Sequence, residues 1–140
     1  MRRPHEIALD YVQARTKFLH QGRSIHGLDC AGLIFLVARE MGIQVKDPGV
    51  YSREPANDML RVWLNMNGCE ELDQGPDVDL IVLMQLRGQA EAGHIGIIAP
   101  HPEGLGLVHS YFSARRVVYQ HLDATRRDEI RGVFQWPDKD

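Results

Sequence analysis

The sequence has only two cysteines, Cys30 and Cys69, in 140 residues. They could form one disulfide at most, too little to frame a domain of this size. Neither belongs to a CxxC pair, so the usual spacing of a structural zinc site is missing. Long apolar runs are missing too. The longest, Ala31 to Ala38, contains Gly32 and stops at Arg39-Glu40, far short of the roughly 18–20 residues that cross a bilayer. No charge of one sign dominates: the formal net charge is -3, and pairs such as Arg2-Arg3, Arg115-Arg116 and Arg126-Arg127 are scattered among acids. Neither nucleic acid nor a membrane is therefore expected as a partner. Behind Arg2-Arg3 there is no apolar segment of the kind that makes a cleavable signal, so export by that route is not expected and two reduced thiols are the default.

What is present is an ordinary globular balance, 44% hydrophobic and 25% charged, enough for one domain over residues 1–140 with its own core. Residues 6–19 place Ile7, Ala8, Tyr11, Val12, Ala14 and Phe18 on a helical stripe, with Pro4 suited to a first turn. Residues 20–27 look like a loop. Asp29 then precedes an apolar run that ends at Gly42, an N-cap and a C-terminal stop for a helix at the centre of the domain. A shorter helix is expected over 57–65, and a polar, turn-rich connection over 68–76. From Val78 the pattern changes to strands, expected at 78–86, 94–99, 105–112, 116–121 and 130–136, with turns at Arg87-Gly88 and over 100–104. Helices followed by an antiparallel meander make an α+β domain.

Three residues stand out for chemistry. Cys30 opens the buried helix, where free N–H groups and the helix dipole favour a thiolate and could hold an oxyanion. Cysteine is equally a small core residue at the start of an apolar helix. His94 begins the strand His94-Ile95-Gly96-Ile97-Ile98, and strand alternation puts Gly96 on its face. A glycine inside a strand marks close approach by another group, although a structural histidine is the alternative. His109 lies on the following strand. If the two form a hairpin, it falls opposite Gly96 and can reach diagonally toward His94, giving a base held by a third polar group. A one-residue slip would turn His109 to the other face. Cys69, in its loop, has none of these features.

Five other histidines are His5, His20, His26, His101 and His121. The spacing His26-x3-Cys30 is interrupted by Gly27, and no HExxH motif occurs, so neither a metal site nor a cofactor is expected.

The strings Gly27-Leu28-Asp29-Cys30-Ala31-Gly32-Leu33, Gly93-His94-Ile95-Gly96-Ile97 and Val108-His109-Ser110 together resemble the NlpC/P60 family of cell-wall peptidases, over about residues 7–136. The segment Phe18-Leu19-His20-Gln21-Gly22-Arg23 is similar to short members found in phage tails and gene transfer agents. The resemblance implies a papain-like fold, with the nucleophile helix packed on an antiparallel β-sheet. It also implies cleavage of a peptidoglycan stem peptide, typically between D-γ-glutamyl and a diamino acid. By position Cys30 would be the nucleophile, His94 its ion-pair partner and base, and His109 the orienting group. Phe18 stands where many members have a tyrosine, so His20, Ser24 or backbone N–H groups beside Asp29 would complete the substrate and oxyanion site. Ala31 replaces a frequent serine, and the loop between the histidine strands is longer than in compact members. A route to the wall as part of a phage tail or related particle, with a tail protein as partner, follows from the same likeness. Two further readings stand beside the peptidase: a papain-like acyltransferase or amidase on another substrate, and a catalytically silent tail-assembly module.

Overall fold

The computed structural model describes residues 2–138. Helix α1 (Pro4–Gln13) begins with proline in its first turn, and the Glu6 carboxylate accepts the Arg3 backbone N–H at 2.7 Å. It ends six residues earlier than the stripe of apolar residues suggests. Arg15 adopts φ +55°, a left-handed geometry that a continuing helix cannot contain. Residues 16–18 then run extended: Thr16 C=O accepts from Val117 N–H at 2.9 Å, and Phe18 N–H donates to Arg115 C=O at 3.0 Å. Pairing with a distant strand outcompetes the local helical period there.

The expected loop over 20–27 contains a small hairpin, β1 (Arg23–Ser24) with β2 (Gly27–Leu28). It leads into α2 (Cys30–Glu40), whose N-cap Asp29 accepts the Gly32 N–H at 2.9 Å. The cap residue at the other end is Met41, followed by Gly42 at φ +79°. Seven of the eleven residues of α2 are buried, as an apolar surface on nearly all sides requires. Gly32 matters here because a Cβ at that position would collide with the backbone of Gly22, so only glycine lets the hairpin lie against the first turn of α2. Helix α3 (Met59–Met66) follows.

Six strands then form one antiparallel sheet in the order β3-β8-β4-β5-β6-β7. They are β3 (Glu70–Leu72), β4 (Ile81–Met84), β5 (His94–His101), β6 (Gly104–Tyr111), β7 (Arg116–His121) and β8 (Ile130–Gln135). The chain is thus mixed α and β, with an antiparallel sheet and a few helices. β3 falls in the segment read as a connection. Its Glu-Glu-Leu sequence carries no strand signal, and it is held as an edge by β8. β4 is shorter than expected because Asp79 takes φ +75°, where its carboxylate meets Arg3 and His5. The five-residue turn expected over 100–104 shrinks to Pro102-Glu103, because His101 pairs with Gly104. A short helix, α4 (Ala124–Asp128), precedes β8; Asp123 caps it by accepting from Arg126 N–H at 2.9 Å.

The sheet separates two apolar clusters. Ile95, Ile97, Ala99 and Val108 pack with Leu33, Ile34 and Val37 of α2 and Leu60 and Leu64 of α3. Val82, Met84, Ile98, Leu107, Leu122 and Val133 make a smaller layer on the other face. Cys69 belongs to the larger core, and burial pushes its thiol up to about 11. Among the described residues no helix is long and apolar enough to cross a membrane.

Candidate active site

Strand alternation sends His94 and His109 to the same face of the sheet, and the β5–β6 register brings them together. Ile97 pairs with Val108, so the next pair along is Gly96 with His109. A Cβ on Gly96 would lie 3.3 Å from the Cβ of His109. The space this glycine leaves is taken first by Leu107 Cδ1, which a Cβ at 96 would meet at 2.5 Å, with His109 Cβ bordering it. His94 Nε2 and His109 Nδ1 are 2.7 Å apart, and the rings meet edge to face with centroids 4.9 Å apart. Both rings are buried, at 5% and 0% exposure.

Cys30 reaches this pair from the other side. Helix α2 packs on β5, and the Ile95 backbone N–H, next to His94 in sequence, is close enough to Cys30 to favour its thiolate form. Cys30 and His94 line one cleft of about 460 Å³, together with Phe18, His20, Asp29, Tyr51, Arg53, Arg87, Tyr111 and Phe112 among others. His109 lies behind His94, away from the cleft. The arrangement offers a sulfur and an imidazole lining one cleft, and a second imidazole bonded to the first. Such a set can carry a proton from a thiol while the sulfur attacks an acyl carbon.

At Cys30 desolvation works against the helix N-terminus. Burial, reinforced by the Asp29 carboxylate, pushes the thiol up to about 12 against the opposing hydrogen bonds from Ile95, Ala31 and its own backbone. Desolvation wins because a buried charge costs more than a partial helix charge returns. His94 is held well below the usual imidazole range by burial and then by neighbouring His109. His109 is lowered to about 4, again chiefly by burial, with its hydrogen bond to Gln120 opposing. Both shifts favour the neutral forms, a thiol at Cys30 and an uncharged imidazole at His94.

The remaining expected residues divide. Phe18 lines the cleft and meets Phe112 edge to face at 5.5 Å. His20 lines it too, but its Nε2 is bonded to Tyr51 C=O at 3.0 Å and its Nδ1 lies 4.0 Å from Asp29. Ser24 is exposed on β1, lies outside the cleft lining, and accepts from His26 N–H at 3.2 Å. Asp29 is 3% exposed and serves as a hub. Besides capping α2 it accepts from Gln21 N–H at 2.8 Å, from Arg23 at 2.9 Å and from the Tyr51 hydroxyl. Arg23 also donates to Tyr51 Oη at 2.8 Å.

Two side chains at the site were not singled out from sequence. Tyr51 brings a phenol to the cleft from the irregular stretch after Pro48-Gly49, where no periodicity marks it. Gln120 Oε1 lies 2.6 Å from His109 Nε2. Its strand was legible, and extending the register by one more strand would have placed it beside His109. Among the described residues no group of three or more His, Cys, Asp or Glu side chains is placed to hold a metal ion.

No protein-family profile and no curated protein matches the chain. Among solved structures it is similar to Ly7917, with a TM-score of 0.57 and 17% identity over 94% of this chain. The matched region is 62% of Ly7917, so the chain spans less than two thirds of that protein. At that identity the likeness concerns the fold.

Proposed function

We propose that this chain is a papain-like cysteine peptidase that hydrolyses an amide bond in peptidoglycan stem peptides. The observation that carries the reading is the convergence of Cys30 and His94 in one cleft, with His109 bonded to the far nitrogen of His94. Since His94 Nε2 is engaged by His109, Nδ1 is the nitrogen left to act on Cys30. As Sγ attacks the carbonyl carbon, its proton passes to His94 Nδ1, so charge develops only as the bond forms. The tetrahedral intermediate collapses to a thioester and His94 returns the proton to the leaving amine. Water, deprotonated by His94, then releases the acid and restores the thiol. Backbone N–H groups at the start of α2 are the nearest oxyanion donors to the sulfur.

The substrate class rests on the likeness to NlpC/P60 peptidases in the three motifs, and the D-γ-glutamyl–diamino acid bond is the one that likeness points to. Two arginines line the cleft, together with the acids Asp29 and Glu54. Arg53 lies 3.9 Å above the Phe112 ring, Arg87 stands on the same rim, and stem peptides carry free carboxylates for two such guanidiniums to bind. Delivery to the wall as part of a phage tail belongs to the same proposal.

Digestion of purified peptidoglycan by wild type and by Cys30→Ala, read by mass spectrometry, tests it. New termini at a glutamyl–diamino acid bond with the wild type alone are expected. Intact stem peptides with both proteins would overturn the hydrolase. Transfer of an acyl group to an added amine without net hydrolysis would replace it with an acyltransferase.

A further inference from the structure

We propose that Gln120 is a positioning residue of the site: by accepting the proton-bearing nitrogen of His109, it selects the one tautomer of His94 able to act as a base toward Cys30. The catalytic part of this inference rests on the peptidase reading above; the tautomer part does not.

A short chain of hydrogen bonds fixes where the protons lie. Between His94 Nε2 and His109 Nδ1, 2.7 Å apart, a single proton makes the hydrogen bond when both rings are neutral. Between His109 Nε2 and Gln120 Oε1, 2.6 Å apart, the amide oxygen can only accept, so His109 carries its proton on Nε2. Nδ1 of His109 is then a bare lone pair and must accept from His94 Nε2–H. That leaves Nδ1 of His94 unprotonated, which is what a base toward the Cys30 thiol requires. Turning the Gln120 amide over reverses every bond. Its NH2 would donate to His109 Nε2, His109 Nδ1–H would donate to His94, and His94 would present an N–H where the base is needed.

The structure has the first arrangement, with the amide oxygen turned to His109. Gln120 sits on β7 diagonally from His109, whose direct partner is Val118. Its outer side borders a second cavity of about 340 Å³, lined also by Asp123, Glu129, Arg126 and Tyr111. Both carboxylates there already have donors: Glu129 accepts from Arg126 at 2.7 Å and from Arg87 N–H at 2.9 Å, and Asp123 from Arg126 N–H at 2.9 Å. The charged or titratable groups facing the histidine pair are therefore Arg126 and Glu129 from the α4 segment, Tyr111 stacked on His109 at 5.0 Å, and Cys30 at the cleft. Of the two bonds His109 makes, only the one to Gln120 leads away from the cleft.

The test is long-range proton–nitrogen NMR on protein labelled at histidine nitrogen, with kcat and KM measured across pH on the same samples. Wild-type His94 and His109 are expected to carry their protons on Nε2 in the neutral form. Gln120→Leu should give mixed tautomers in both rings and lower kcat about tenfold or more with KM little changed. Gln120→Glu keeps an acceptor, so it should hold the wild-type tautomers. Its carboxylate favours the imidazolium, raising the low-pH limb of kcat by about 1 unit. An Nδ1–H tautomer in wild-type His94 or His109 overturns the proposal, as do unchanged tautomers in Gln120→Leu. If the leucine variant does not fold, the wild-type and Gln120→Glu spectra decide alone. Correct tautomers in a protein that cuts no peptide would count against the peptidase and leave the role of Gln120 in place.

Discussion

Gly96 on β5 faces His109 on β6, and a Cβ at 96 would stand 3.3 Å from His109 Cβ, 3.1 Å from Val108 C=O and 2.5 Å from Leu107 Cδ1. The missing side chain at 96 lets Leu107 and the base of His109 close up against β5. Gly96→Ala therefore has to move Leu107 and press on His109. We expect about 1–3 kcal/mol of destabilisation, the usual cost of overpacking. We also expect loss of the His94–His109 hydrogen bond, visible as altered imidazole nitrogen shifts. A variant as stable as wild type with unchanged shifts would show that the space is not needed.

The buried histidines make stability depend on pH in a defined direction. In the unfolded chain they titrate near 6.5; in the fold His94 lies well below that and His109 at about 4. Between those values the unfolded chain binds more protons than the native one, so native stability falls as pH drops from about 6.5 toward 4. His109 alone accounts for roughly 3 kcal/mol of that loss on this reasoning. Urea denaturation at steps through the window should show the slope, and His109→Gln should flatten it. Equal slopes in the two proteins would assign the effect elsewhere.

Thiol chemistry offers a separate check. With the Cys30 thiol raised to about 12 by burial, alkylation by iodoacetamide in the absence of substrate should be slow at neutral pH. It should still be rising above pH 8.5, where an ordinary cysteine is half ionised. A rate already at plateau below pH 7 would mean a resting thiolate–imidazolium pair. Cys69→Ser serves as the background, since that thiol is also raised, to about 11.

Asp29 joins the first turn of α2 to the rest of the cleft. Asp29→Ala removes the cap on Gly32 and leaves Arg23 and the Tyr51 hydroxyl without their shared partner. Loss of the cap costs about 1 kcal/mol; Arg23 keeps Asp47 as a partner at 2.9 Å, so losing Asp29 adds less than stripping a buried charge of its sole partner would. Asp29→Asn retains an acceptor for the cap and should cost clearly less. Chemical denaturation of the two variants measures the difference; equal costs would mean that the charge on Asp29 contributes nothing.

Much of the fold is local and could be read residue by residue. Helix α2 announces itself through Asp29 and Gly42, and β7 through alternation from Arg116 to His121, because caps and periodicity act within a few residues. Where long-range pairing competes with local preference, local reading stops short. Residues 14–19 look helical but turn at Arg15 to pair with β7, and Glu70-Glu71-Leu72 becomes a strand only because β8 lies beside it. Ser24 and Tyr51 show the same limit at the cleft. Proximity to Cys30 along the chain did not bring Ser24 to it, whereas Tyr51, with no local signal, was carried there by its bond to Asp29.

The sequence by itself therefore determined the α+β class, the buried helix behind Cys30 and the strands bearing His94 and His109, since each depends on short-range periodicity and capping. Only the tertiary structure decided that Gln120 ends the histidine chain, that Tyr51 lines the cleft and that desolvation opposes a thiolate at Cys30. Those outcomes depend on strand register, on distant side chains meeting, and on how much water burial removes from each charge.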